Sequence, residues 1–373
     1  MSFGVMVNIL LGFWAMVFGI SIGWGLRRQG ITAHNLFSRR RLISFLLLAG
    51  SVCVAVVILH LPQLPFLPLA WRASGMLMAW MVLRSLLFWI GGLAIAMGWQ
   101  VAHRQLLVTL FTCGVGVAVL TGIEQYLLTP IYPSLSQHID SQGIVRQTSD
   151  SSCAPAALAT VLHQWQIDTS ELEVAKLAGT SRIGTSMPQL IAAAQRLGMD
   201  GLELQPSWET IQQINRPGIL SIWLMDGDRR FPHAVALLKM NRDTAVIADP
   251  AEGRAFMVDR TALEKMWRQE YVPIFRPHDL KLSPEAAQSY LANLGYDFQD
   301  IAPTSLGTLY HSAPHWQQAL RQFQADNPGL PKSGTLDTAT ILALTGAFVQ
   351  QTPTLALADN LNRSAIDYHR QGA

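Results

Sequence analysis

The stretch Gln147-Thr-Ser-Asp-Ser-Ser-Cys153-Ala-Pro-Ala-Ala-Leu-Ala-Thr-Val-Leu-His163 decides how the rest of the chain is read. Small polar residues followed by a proline at the head of an alanine-rich apolar run are the start signals of a helix, which places Cys153 at or beside a helix N-terminus. The positive end of the helix dipole favours thiolate, and thiolate is the attacking form of cysteine. Acyl transfer needs two further things, hydrogen-bond donors for the oxyanion and a proton for the leaving group. Gln147 lies six positions upstream on the approach loop, where its amide can reach the same oxyanion as the backbone N–H beside Cys153.

Downstream, Ile219 to Met225, His233 to Met240 and Thr244 to Asp249 are apolar segments of strand length separated by polar turns, and they predict an antiparallel sheet. Asp226-Gly-Asp228 reads as the hairpin turn between the first two. On this reading His233 opens one strand and Asp249 ends the next, so a carboxylate can fix the tautomer and orientation of an imidazole. His163 reads as a partly exposed helix residue and not as a second base. No His-Glu-x-x-His or comparable spacing occurs, and no metal is expected. Cys53 and Cys113 fall in apolar runs, which leaves Cys153 as the one thiol of the soluble part and excludes a disulfide framework or a multi-cysteine zinc site there.

These residues together resemble the peptidase C39 family, over about Val145 to Pro277. The matching features are Gln147, the run Ser152-Cys153-Ala154-Pro155-Ala156-Ala157-Leu158, the turn Gly184-Thr185-Ser186 before a helix ending near Leu197-Gly198, His233-Ala-Val, and Asp249-Pro250. Ala154 departs from the pattern, standing where the family usually has glycine. The resemblance implies an α+β papain-like cysteine peptidase domain that needs no cofactor and acts on a peptide or protein substrate. It casts Cys153 as nucleophile, His233 as general base and acid, Asp249 as the orienting carboxylate and Gln147 as oxyanion donor. The family is best known from bacteriocin-exporting transporters that cut leader peptides after a double glycine.

Upstream the chain is read against lipid. Apolar residues are 50% of the whole and charged residues 14%, but nearly all long apolar runs precede Tyr132 and most acidic residues follow it. About four stretches, 3–26, 42–61, 74–101 and 106–128, are long enough to cross roughly 30 Å of hydrocarbon, which makes residues 1–130 a transmembrane helical region in contact with membrane lipid. Arg27, Arg28 and Arg39 to Arg41 lie between the first two spans, and His103 and Arg104 lie between the last two. The positive-inside rule puts both loops in the cytoplasm and the soluble part outside it, giving a multi-pass protein of a bacterial inner membrane with periplasmic domains. The first run has no basic segment before it and reads as a retained helix, not a signal peptide. Arg84 reads as snorkelling to the outer interface, with no role of its own. A net charge of +2, with no basic stripe interleaved with aromatics, sets nucleic acid aside.

Beyond the peptidase-like region, which the domain reading places at 144–277, three helix-like segments run from Pro284 to Leu294, His315 to Gln324 and Leu336 to Leu344. Phe323-Gln324, Gly329-Leu330, Gly334 and Thr338 to Leu344 are similar to the frame of the three-helix peptidoglycan-binding module, assigned to 282–350 with a tail at 351–373. That resemblance implies peptidoglycan as a partner. The reading as a whole is a membrane-anchored cysteine peptidase held near cell wall; the alternative is an inactive C39-like binding protein serving in wall docking or secretion assembly. A transporter is set aside, because no Gly-x-x-x-x-Gly-Lys-Ser/Thr motif occurs.

Overall fold

A computed structural model describes residues 3–31, 41–60, 64, 67–99, 103–136, 143–226, 229–296, 314–349 and 352–357. The chain divides into two compact units, Met1–Thr129 and Pro130–Ala373.

The first unit holds α1 (Phe3–Arg28), α2 (Arg41–His60), the short α3 (Leu69–Ala73), α4 (Gly75–Gly98) and α5 (His103–Leu127). Among the described residues, three segments are long and apolar enough to cross a membrane: Leu10–Arg28, Gly75–Gly98 and Leu106–Leu127. Of the 20-residue α2, Ala49–His60 is an apolar stretch shorter than a span. Helices α1 and α4 approach closely because glycine lines both sides of the contact. A Cβ on Gly19 would sit 2.2 Å from the carbonyl oxygen of Trp89, and one on Gly92 2.2 Å from that of Met16; such small-residue seams let backbones meet where lipid supplies no hydrophobic drive. Arg84 does not stand alone as the sequence suggests. Its Nη2 lies 2.6 Å from Oε2 of Glu124 on α5, with both side chains mostly buried, so the charge has a counter-ion within the apolar helices.

The second unit is built on a sheet of six described strands in the order β1-β6-β2-β3-β4-β5, antiparallel throughout. The strands are β1 (Asp200–Gly201), β2 (Gly218–Asp226), β3 (Arg229–Met240), β4 (Thr244–Asp249), β5 (Arg254–Asp259) and β6 (Trp267–Phe275). The expected hairpin turn lies partly outside the described residues, but Asp226 pairs with Arg229, so β2 and β3 form one hairpin. Strand β3 starts at Arg229, and His233 lies inside it, not at its head as the sequence suggests. Strands β2 and β3 run on together past the ends of β6 and β4. Among the described residues this arm has no third strand beside it, a setting that tolerates Pro232.

Helices α6 (Cys153–Gln164), α7 (Glu171–Ala178) and α8 (Met187–Arg196) pack against one another, and α6 lies on β3 and β2. Its Ala154, Ala156, Ala157 and Ala159 are buried, which allows close approach to the sheet. Period-two alternation sends Leu220, Ile222, Val235 and Leu237 into one large core. That core also takes Trp208, Ile211 and Ile214 of α9 (Trp208–Ile214) and Leu263 of α10 (Arg260–Met266), as well as residues of α11 (Pro284–Asn293), α12 (Pro314–Asp326) and α13 (Thr338–Thr345), including Leu291, Leu320, Phe323, Leu342 and Leu344. The C-terminal helices and the sheet therefore share their interior.

The contact is polar as well as apolar. Gln213 Nε2 donates to Ala343 O at 2.9 Å, Asn215 Nδ2 to Gly346 O at 2.8 Å, and Thr210 Oγ1 to Pro328 O at 2.9 Å. Within the C-terminal helices, the recurring Phe323-Gln324 pair is interior. Gln324 is fully buried, its Nε2 donating to Thr335 O and Thr340 Oγ1 and its Oε1 accepting from Gly334 N. Phe323 and Gln324 thus hold the turn between α12 and α13 together from inside.

Candidate active site

Cys153 is the first residue of α6, with Ser152 at the N-cap. Ser152 does not cap with its side chain. Its hydroxyl donates to Ser149 O at 2.7 Å and accepts from Ser149 N at 3.1 Å, which closes residues 149–152 into a tight turn that delivers the thiol to the helix end. Ser151 Oγ donates to Arg182 O at 2.7 Å and ties this turn to the loop before α8. Upstream, Val145 N donates to Thr160 Oγ1 at 3.0 Å, and the His163 ring nitrogens lie 2.8 Å from the carbonyl oxygens of Gly143 and Thr169. His163 thus fastens the approach loop to α6, with both nitrogens engaged, and is no second base.

His233 and Asp249 meet across the β3–β4 pair, Nε2 to Oδ1 at 2.7 Å, and both are buried. With Nε2 committed to the carboxylate, Nδ1 is the ring nitrogen left to hydrogen-bond Cys153. Burial alone would lower the basicity of His233, but the hydrogen bonds and charges of Asp249 and Cys153 outweigh it, and the imidazole is pushed up to about 9. Burial would likewise raise the Cys153 thiol. The His233 hydrogen bond and charge, with backbone N–H groups of Ala234 and Ala154, win instead and bring it below its ordinary value. The two shifts share one contribution, the contact between Cys153 and His233, to which Asp249 adds on the imidazole side and the backbone N–H groups on the thiol side.

Gln147 sits against the same cluster. Its backbone N–H donates to Pro250 O at 2.8 Å, next to Asp249, and its side-chain amide oxygen is buried without a hydrogen-bond partner among the described residues. The fold brings all four sequence-derived residues into one chain of contacts: Cys153 to His233, His233 to Asp249, and the Asp249-Pro250 turn to Gln147.

Such an arrangement can perform nucleophilic acyl transfer. The thiolate would add to a carbonyl carbon as the π pair moves onto oxygen, an oxyanion that calls for a hydrogen-bond donor beside the start of α6. Collapse re-forms the carbonyl and expels the leaving group, which takes the His233 proton; water then releases the acyl group with His233 as base.

Sequence reading missed the residues that hold Gln147 in place. Thr148 donates its N–H and its hydroxyl to Glu171, 2.9 and 2.7 Å away, and at Gly253, φ +68°, a Cβ would lie 2.9 Å from the Arg146 side chain. Glu171 looks in sequence like any acid in a helix's first turn, and only its 1% exposure marks it out.

Comparison with known proteins bears on residues 141–279, which match the family described as Peptidase C39 family. An uncharacterized protein of Methanothermobacter marburgensis is 33% identical over 145 residues, covering 39% of this chain and 96% of that protein. The lactococcin-G-processing and transport ATP-binding protein LagD of Lactococcus lactis is 27% identical over 111 residues, 30% of this chain and 16% of its own length. Among solved structures, the peptidase domain of Streptococcus ComA, a bi-functional ABC transporter involved in a quorum sensing pathway, is similar at 19% identity with a TM-score of 0.32, covering 35% of this chain and 96% of that one.

Proposed function

Since the chain belongs over residues 141–279 to the peptidase C39 family, we propose that it is a membrane-anchored cysteine peptidase that cleaves peptides or exported proteins outside the cytoplasmic membrane. The observation that carries this reading is the Cys153–His233–Asp249 relay, in which Asp249 at 2.7 Å and Cys153 raise the imidazole and His233 in turn lowers the thiol. Such opposed shifts are what an acyl-transfer nucleophile needs and what a binding surface does not. They favour an enzyme over an inactive relative serving in wall docking. LagD processes lactococcin G by its name, and that likeness favours a peptide substrate here.

In this reading four helices anchor the chain, α1, α2, α4 and α5. The arginines at 27–28 and 39–41 face the cytoplasm, and the peptidase lies outside it. The C-terminal helices α11 to α13 contact peptidoglycan, and because they share a core with the sheet they hold the active site at a fixed offset from the wall.

The test compares the N-termini of envelope and secreted proteins, by mass spectrometry, in cells carrying wild type or Cys153→Ala. New N-termini present with wild type and missing with Cys153→Ala support the reading. Identical sets in the exported fraction, or differences confined to cytoplasmic proteins, contradict it.

A further inference from the structure

Residues 147 and 148 are held from three sides, by Pro250, Glu171 and Ser136. Gln147 N–H is fixed by Pro250 O at 2.8 Å. Thr148 then gives its N–H to Glu171 Oε1 at 2.9 Å and its hydroxyl to Glu171 Oε2 at 2.7 Å. The same hydroxyl oxygen accepts from Ser136 N–H at 3.0 Å.

Glu171 is 1% exposed, and a carboxylate is buried at a cost unless both oxygens are satisfied. Here both serve one residue of the approach loop. The capping of α7, the usual task of a polar residue at a helix start, is done by Ser170, whose side chain accepts from Glu173 N. Glu171 is therefore free of the ordinary helix-start role, and its two oxygens go across 23 positions of sequence to Thr148.

We propose that Glu171 and Thr148 are positioning residues that aim the Gln147 amide at the oxyanion. With the N–H of residue 147 and the N–H of residue 148 both bonded, the backbone that carries the Gln147 side chain is restrained, which limits where the amide can go before substrate arrives. The inference rests on the reading of Gln147 as oxyanion donor. When the Cys153 thiolate adds to a carbonyl and the π pair moves to oxygen, a preset donor requires no reorganisation.

Two reagents separate this role from general loosening. p-Nitrophenyl acetate acylates the thiolate through a tetrahedral oxyanion and releases p-nitrophenolate, whereas iodoacetamide alkylates it by displacing iodide with no oxyanion. Both are applied to the full chain in detergent, with Cys153→Ala as the blank for the other thiols. Thr148→Val is expected to slow acylation by about 10-fold or more, up to the roughly 10²-fold effect of an ångström of misplacement, with alkylation unchanged. Thr148→Ser is expected to restore the rate, and Thr148→Val is expected to add nothing in a Gln147→Ala background. Glu171→Ala should follow Thr148→Val, while Glu171→Gln, which can still accept the Thr148 N–H, should be milder. If Gln147→Ala is slow but Thr148→Val acylates like wild type, or if Thr148→Val slows both reagents equally or multiplies with Gln147→Ala, the positioning role is wrong and the oxyanion role stands. If Gln147→Ala acylates like wild type, the oxyanion reading falls and this inference with it.

Discussion

Asp249 accepts two hydrogen bonds on one oxygen, from His233 Nε2 at 2.7 Å and Ala251 N–H at 2.8 Å, and the two have separable consequences. Asparagine offers the same oxygen without the charge. Asp249→Asn is therefore expected to keep the 249–253 turn and an unfolding temperature near wild type, while the imidazolium loses its counter-ion and p-nitrophenyl acetate turnover falls. Asp249→Ala strands the Ala251 N–H and should cost a further 1–3 kcal/mol, as is usual for roughly one unsatisfied buried donor. Equal thermal loss in both variants, or full turnover in Asp249→Asn, would show that the charge has no such part. At this scale the sequence was most informative where chemistry is local or ordered along the chain: a cysteine at a helix start, a glutamine just before it, a histidine and an aspartate on neighbouring strands. It was silent where partners are distant. Glu171 meets Thr148 across 23 positions, and Arg84 meets Glu124 across two helices; neither pairing leaves a pattern in composition or periodicity.

Helix α9 shows the same limit at the level of elements. Its Ser207 N-cap accepts from Thr210 N, an ordinary helix start, but its seven residues are too few for periodicity to reveal, and it was not foreseen. It is nonetheless the element on which the C-terminal helices sit. A Cβ on Gly346 would lie 1.8 Å from Gln213 O, so Gly346→Ala must push α13 away from α9. The expected loss is about 1–3 kcal/mol, the usual effect of overpacking. It should appear as a lower midpoint of one transition that takes the active site with it, followed by loss of Cys153 acylation at the same temperature. A separate early transition that leaves acylation intact would mean that the C-terminal helices fold on their own. The strands were legible from alternation, but the start of β3 was not. Residues 229–232 are exposed and belong to the strand only through pairing with β2, and exposure erases the apolar alternation that sequence reading depends on.

Across the whole molecule, the division between a strongly apolar helical part and a more polar part follows from hydropathy alone, and the chain separates near Thr129. The shared core of sheet and C-terminal helices does not follow from it, because an amphipathic pattern says that a face is buried and not what it is buried against. One property of the intact chain tests the account most directly: the reactivity of Cys153 as a function of pH. The relay lowers the thiol and lifts His233 to about 9, so thiolate should persist as pH falls below the ordinary thiol value and be lost only at the lowered one. The measurement is the iodoacetamide rate of the full chain from pH 5 to 9, corrected with Cys153→Ala. The expected result is a rise centred below about 8.5 that moves upward in His233→Ala. A rise centred at about 8.5 in the wild type, unmoved by His233→Ala, would contradict the activated pair and the peptidase with it.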